Sequence, residues 1–230
     1  MTAKGAARVI GVLILVHMIG SGVGNFVLLG PVFSGPGFLV NAAAHSTVMG
    51  LAALLGIVTG SLAVAMAITA FPVFRQYSQR WALWFFALAV VGFSVAVVEN
   101  INLMSLLSLS EAYAKASTVD REHFQFLRVV VASARNWAHF LGLFVGGSTF
   151  LVFYAAQFRF ALIPRALAAV GVAAVLSQTT SVALPLFGHE VVFPMLAPLG
   201  LCHLIVALWL IVKGWPDLGL PAPARHTPNL

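Results

Sequence analysis

Six long apolar runs, separated by short polar breaks, constrain this chain more than any other feature of its sequence. A helix needs about 20 mostly apolar residues to cross a bilayer, and every run is long enough. Within lipid the backbone must pair with itself, so only helices or a closed barrel can cross. The runs are continuous rather than alternating in polarity, which favours helices. Six spans are predicted, at Arg8–Gly30, Ala44–Phe71, Trp81–Leu107, Val129–Gln157, Pro164–Phe187 and Val191–Trp215.

The six spans occupy most of the 230 residues and leave no room for a soluble domain. Only 8% of the residues are charged, whereas a soluble domain usually has about 25%. We therefore predict an all-α, polytopic membrane protein with one six-helix transmembrane domain at residues 1–215. The proline-rich residues 216–230 are predicted to form a disordered cytoplasmic tail.

The net charge of +6 does not indicate a nucleic-acid-binding protein, because the basic residues form no patch. They lie at the ends of the runs, as topology signals do. If the helices alternate in direction, one side of the membrane receives most of the cations, namely Lys4, Arg8, Arg75, Arg80, Arg159, Arg165, Lys213 and Arg225. We therefore expect both termini in the cytoplasm and the protein in a bacterial inner (plasma) membrane.

Two further patterns carry structural predictions. The longest polar stretch, Ser108–Phe126, predicts either an amphipathic helix at the interface or a solvated loop. Glycines four residues apart predict close packing of helices within the bundle, or dimerisation through one such face. The pairs are Gly20 with Gly24, Gly56 with Gly60, and Gly142 with Gly146.

Ionisable side chains inside a bilayer are costly, so each one is a candidate for function. Glu99, followed by Asn100, and the group Arg135, Asn136 and His139 should lie at similar depths on consecutive antiparallel helices. An ion pair between Glu99 and Arg135 would lower the desolvation cost of both groups. The pair either locks two helices together or forms a polar pocket in which Glu99 and His139 move protons.

Other polar residues extend this candidate set. His17 and His203 are predicted near the middle of the membrane, and Gln178 gives the fifth span a polar centre. The two histidines can bond to neighbouring helices, contact a ligand or ligate a non-covalent haem. A metal at Glu99, His139 and His45 is a weak alternative, because no close metal-ligand spacing is present.

The chain resembles the DUF4386 family of six-helix bacterial membrane proteins, a domain of unknown function. The resemblance rests on Arg8, Glu99, the turn Ile163-Pro164-Arg165 and the ending Leu208–Trp215. In that family an acidic residue often precedes this ending, at the position where this chain has His203. The resemblance therefore implies no role for His203. It implies six helices and no assigned reaction.

Three functions remain open from the sequence. The first is a binding or accessory protein that holds a lipophilic small molecule, or a partner membrane subunit, at a polar pocket of Glu99, Arg135 and His139. The second is a membrane enzyme that uses Glu99 as an acid on an isoprenoid or lipid, with His139 or Asn136 orienting it. The third is a small transporter. The sequence names no cofactor, and a homo-oligomer is compatible with its glycine faces.

Overall fold

A computed structural model describes residues 1–117 and 121–216 of the chain. The described residues form helices and no strands, and six helices are long and apolar enough to cross a membrane. The predicted all-α, six-helix architecture is therefore confirmed. We number these helices α1 Ala3–Gly22, continued by a π-helix at Val23–Leu28, α2 Ser46–Tyr77, α3 Gln79–Lys115, α4 Arg121–Arg159, α5 Arg165–Ala183 and α6 Ala197–Val212.

The six helices form a closed ring. Each helix packs on the next one along the chain, and α1 packs on both α2 and α6. Close packing at glycine is present at the predicted pair Gly56 and Gly60, whereas neither glycine of the predicted pair Gly142 and Gly146 is in close contact with another helix. A Cβ on Gly56 would lie 2.7 Å from the side-chain oxygen of Asn100, and one on Gly147 would lie 2.5 Å from Thr179 Oγ1. Gly146, in contrast, faces open space.

Aromatic side chains fill the end of the ring at which α1 begins and α6 ends. Phe74 lies 5.7 Å from both Phe85 and Trp215, measured between ring centroids, and Phe85 lies 5.5 Å from Phe153. All four side chains are buried. This aromatic plug closes the ring at the end where the predicted cytoplasmic cations lie.

A cap segment, residues 29–45, covers part of the opposite end. It contains two one-turn helices, Gly30–Phe33 and Phe38–Asn41. Ser110 of α3 fastens this segment to the ring: its hydroxyl donates to the Leu39 carbonyl at 3.0 Å and accepts from the Ala43 N–H at 2.8 Å. The cap segment is therefore an ordered part of the fold.

Hydropathy placed several helix ends wrongly. Helix α2 continues from the predicted end at Phe71 to Tyr77, and most of the described part of Ser108–Phe126 belongs to α3, which ends at Lys115, or to α4, which begins at Arg121. It forms neither a separate interfacial helix nor a plain loop. An α-helix is held by hydrogen bonds within its own backbone and does not require surrounding lipid. Helices α3 and α4 therefore continue beyond the apolar stretch. The predicted tail lies outside the described residues, apart from Pro216.

Candidate functional site

A cavity of about 340 Å³ occupies the centre of the ring, and all six helices contribute to its wall. It extends from Met66 and Phe85, beside the aromatic plug, to Leu29 and Arg135, near the cap segment. Its wall is mostly apolar side chains and glycines. Ligand sites are typically concave and largely apolar, with volumes of about 300–1,000 Å³ and a few placed polar groups. The cavity has these properties.

A cluster of three ionisable side chains lies at the end of the cavity near the cap segment. Arg135 Nη2 donates to Glu99 Oε1 at 3.1 Å, and His139 Nδ1 donates to the same oxygen at 2.8 Å. Both bonds use Oε1, so Oε2 remains to accept a proton donor from the cavity. The predicted Glu99–Arg135 contact is therefore present, and His139 completes the cluster.

Helix periodicity brings these three side chains together. Arg135 and His139 are four residues apart on α4 and face Glu99 on α3. One turn further along α4, Gly142 leaves space beside the carboxylate: a Cβ there would lie 3.9 Å from Glu99 Oε2. The sequence thus places a small residue where the carboxylate borders the cavity.

The guanidinium of Arg135 is bounded on a second side by the cap segment. Its Cζ lies 5.2 Å from the centroid of the Phe33 ring, a cation–π distance. Its Nε is buried and has no hydrogen-bond partner among the described residues. A buried donor without a partner is costly, so Arg135 has unused capacity to bind an acceptor.

His17 lies on α1 beside α2. Its Nδ1 donates to the carbonyl of Thr59 at 3.0 Å, which leaves Nε2 without a proton when the ring is neutral. Thr59 in turn donates to the carbonyls of Leu55 and Gly56. His17 therefore presents an acceptor nitrogen in the wall of the cavity.

His203 lies deeper in the cavity wall. Its ring stacks on Tyr154 at 5.9 Å and lies 4.2 Å from the Phe150 ring, between centroids. His203 Nε2 and the side-chain oxygen of Gln178 are both buried without a partner among the described residues. The His203 ring and the Gln178 amide thus belong to the cavity wall, and each has an atom without a hydrogen-bond partner among the described residues.

The wall of the cavity also includes an irregular stretch of α1 that sequence reasoning missed. The π-helix Val23–Leu28 places Gly24 and Asn25 in the wall, and the N–H of Leu29 bonds to the Gly24 carbonyl at 3.0 Å. Such π-helical turns are frequent at functional sites. The sequence offers one signal for this stretch, the polar residues Ser21 and Asn25 four positions apart, but that spacing does not reveal the change in helix type.

The structure places seven of the nine predicted site residues in the cavity wall: His17, Glu99, Asn100, Arg135, His139, Gln178 and His203. Asn136 does not join them, because it follows Arg135 by one position and is exposed on the outer face of α4. His45 lies at the start of α2, where its Nδ1 donates to the Asn41 carbonyl at 2.8 Å. Within the described ranges, no group of three His, Cys, Asp or Glu side chains is placed to hold a metal.

One family model matches the chain, the domain of unknown function DUF4386, over residues 9–214. The match spans all six helices and includes Glu99, Arg135 and His139. No curated protein and no solved structure matches the chain.

Proposed function

Because the chain belongs to the DUF4386 family, whose description names no reaction, we propose its function from the cavity: it binds a lipophilic small molecule in the centre of the ring. The observation that carries the proposal is a cavity with apolar walls, a Glu99–Arg135–His139 cluster at one end and unpartnered polar atoms along its length. A purely structural ion pair needs no such cavity.

The free bonding groups indicate the chemistry of the ligand. Arg135 Nε supplies a donor, whereas Glu99 Oε2 and the Gln178 oxygen supply acceptors. A ligand with a hydroxyl or carbonyl group at one end and an apolar body would pair that group with Arg135 and Glu99 Oε2. The Gln178 oxygen lies beside Gly147, about three helix turns along α4 from Arg135, so it would contact a different part of the ligand. Glu99 already balances the charge of Arg135, so the site favours a neutral polar group over an anion.

A second feature favours a ligand that arrives from the bilayer. A wide apolar groove of about 1,040 Å³ runs along α3 between α2 and α4, on the side away from the ring centre. Asn100 lines both the groove and the cavity, and it faces Gly56 across the α2–α3 contact. A small separation at this contact would join the two spaces, so a lipophilic molecule need not pass through water.

The proposal is tested by identifying the small molecules that remain bound to the protein through purification. Protein is purified from its native membranes in mild detergent, and native mass spectrometry followed by solvent extraction identifies what it retains. We expect the wild type to retain one class of neutral lipophilic molecule. The amount retained should be at least tenfold lower in Gly146→Leu, because the leucine side chain would enter the cavity. Equal retention in Gly146→Leu, or no retained molecule, contradicts the proposal.

An enzyme is the second candidate, and one observation favours it. The 2.8 Å contact between His139 and Glu99 orients an imidazole by a carboxylate, an arrangement used in general acid–base catalysis. Wild type and His139→Gln are each incubated with lipid extract from the native membranes. A product formed only by the wild type supports catalysis, whereas identical extracts leave binding as the function.

A further inference from the structure

The end of the bundle with the aromatic plug also carries a cleft outside the central cavity. The cleft has a volume of about 570 Å³ and lies where the start of α1, the turn between α4 and α5, and the end of α6 meet. Its wall includes Lys4, Pro164, Arg165, Trp209, Lys213 and Trp215. We refer to it as the basic cleft, because three of these residues are cations and none of these lining residues is acidic.

Two features add hydrogen-bond donors to these cations. Helix α5 begins at Arg165, and its N-cap residue Pro164 provides no side-chain cap. The first N–H groups of a helix have no partner within it and favour anions. Separately, Trp215 is 1% exposed, and its Nε1 has no hydrogen-bond partner among the described residues. The basic cleft thus combines three cations with the start of a helix, and its wall includes a tryptophan whose indole N–H has no acceptor among the described residues.

The backbone at this cleft adopts conformations that L-residues rarely use. Gly214 has a φ of 73°, and a Cβ there would lie 2.6 Å from Lys4 Cγ, so glycine lets the Lys4 stem pack on the chain after α6. Ala161 has a φ of 52° in the turn between α4 and α5. The left-handed region is unfavourable for a residue with a Cβ. The fold therefore holds the three cleft walls in a specific arrangement.

We infer that the basic cleft binds the phosphate group of an anionic phospholipid. Basic pockets between transmembrane helices recognise lipid headgroups by charge, and the partly exposed Trp209 in the cleft wall is suited to the boundary between headgroups and acyl chains. Topology signals alone require cations at this end but no cleft and no unpartnered indole donor. The inference is independent of the molecule proposed for the central cavity.

Thermal melting in detergent tests the inference with defined lipids. Phosphatidylglycerol, added to the purified protein at saturating amounts, is expected to raise Tm by about 3–6 °C. Phosphatidylcholine is expected to leave Tm within 1 °C, roughly the scale of a weak, non-specific effect. Inorganic phosphate and glycerol phosphate are each added to separate samples in the same experiment. If either raises Tm as much as phosphatidylglycerol, the ligand is a free phosphate compound and the lipid assignment is overturned.

A matched pair of variants separates the cleft from general attraction to a basic surface. Arg165→Gln/Lys213→Gln removes two cleft cations, whereas Arg75→Gln/Arg80→Gln removes two exposed cations of the same end that do not line the cleft. The Tm shift should fall by more than half in the first variant only. Equal shifts in the two variants overturn the inference.

Trp215→Phe provides a second readout that conserves the aromatic contact with Phe74 and all charges. It removes the indole N–H together with part of the ring, and we expect it to reduce the shift partially. Native mass spectrometry of the wild type should also count one tightly retained phosphatidylglycerol. If the double variant fails to fold, an unchanged shift in Trp215→Phe together with no retained lipid overturns the inference.

Discussion

At the scale of single residues, the Glu99 carboxylate is held by two side chains of α4. One oxygen accepts from both Arg135 and His139, and the side chain is only 23% exposed. Removing one partner of a poorly solvated ion pair leaves the other charge uncompensated, which costs more than the pair itself contributes. The same residue can therefore matter for stability and for ligand binding, and the two effects need separate measurements.

Glu99→Gln should lower the free energy of unfolding by about 1–3 kcal/mol, because Arg135 then keeps a poorly solvated charge. Glu99→Gln/Arg135→Gln removes both charges and should recover part of that loss. Chemical or thermal unfolding in detergent measures these two variants and the single variant Arg135→Gln. Strictly additive losses would show that the two side chains do not interact.

Two adjacent glycines on α4 provide a second prediction at this scale. A Cβ on Gly146 meets no atom within 4 Å, whereas one on Gly147 would lie 2.5 Å from Thr179 Oγ1. Gly146→Ala should raise stability by up to about 1 kcal/mol, the usual helix preference for alanine. Gly147→Ala should lower it by about 1–3 kcal/mol through overpacking. Melting of the two variants side by side checks this; a reversed order would mean that α4 has a different rotation.

At the scale of elements, the contact between the cap segment and α3 determines how the polar end of the cavity is covered. Phe33 of the cap segment lies over the Arg135 guanidinium, and the segment is tied to the ring through Ser110. Ser110 is fully buried, so its two hydrogen bonds have no water to replace them. The position of Phe33 thus depends on Ser110, which lies about three helix turns along α3 from Glu99.

Ser110→Ala should lower the free energy of unfolding by about 1–3 kcal/mol, because the Ala43 N–H and the Leu39 carbonyl both lose their partner. Ser108→Ala is the matched control: that hydroxyl is exposed and bonds only to Met104 of its own helix. The control should stay within about 0.5 kcal/mol of the wild type. A similar loss in both variants would mean that the cap segment is not held by Ser110.

At the scale of the whole molecule, the closed ring explains why a small bundle has a central space. Six helices that each contact two neighbours cannot all meet at the centre, so side chains must fill it. Aromatic residues do so at the plug, whereas glycines and small residues leave the cavity beyond it. The outer surface carries exposed apolar side chains such as Phe26, Leu54 and Trp84, as expected of a surface in contact with lipid.

The charge distribution predicts the orientation of the molecule. Both ends of α3 are exposed, at Gln79 near the aromatic plug and at Glu111 near the cap segment. In a Cys202→Ser background, a membrane-impermeant thiol reagent added to intact cells should label Glu111→Cys and not Gln79→Cys. Permeabilised cells should label both. The opposite pattern would place the basic end outside and contradict the positive-inside interpretation.

Much of the candidate site was predictable because burial of charge in lipid is costly wherever it occurs. Glu99, Arg135 and His139 were identified on that ground alone, and periodicity placed the last two on one face of α4. The outward position of Asn136 was not predictable, because adjacent positions on a helix differ by about 100° and the rotation of α4 depends on its neighbours. Thr59, Phe33 and Phe150 carried no sequence signal, since such residues are common in any apolar helix.

The sequence by itself determined the solvent, the number of helices and the scarcity of charged groups within them. These follow from the free energy of transferring side chains and backbone into hydrocarbon, which depends on local composition. Only the tertiary structure decided that the helices close into a ring, that the ring is filled at one end and hollow at its centre, and that seven of the predicted site residues share that space. Those properties depend on helix rotation and on contacts between residues far apart in the chain, which local composition does not encode.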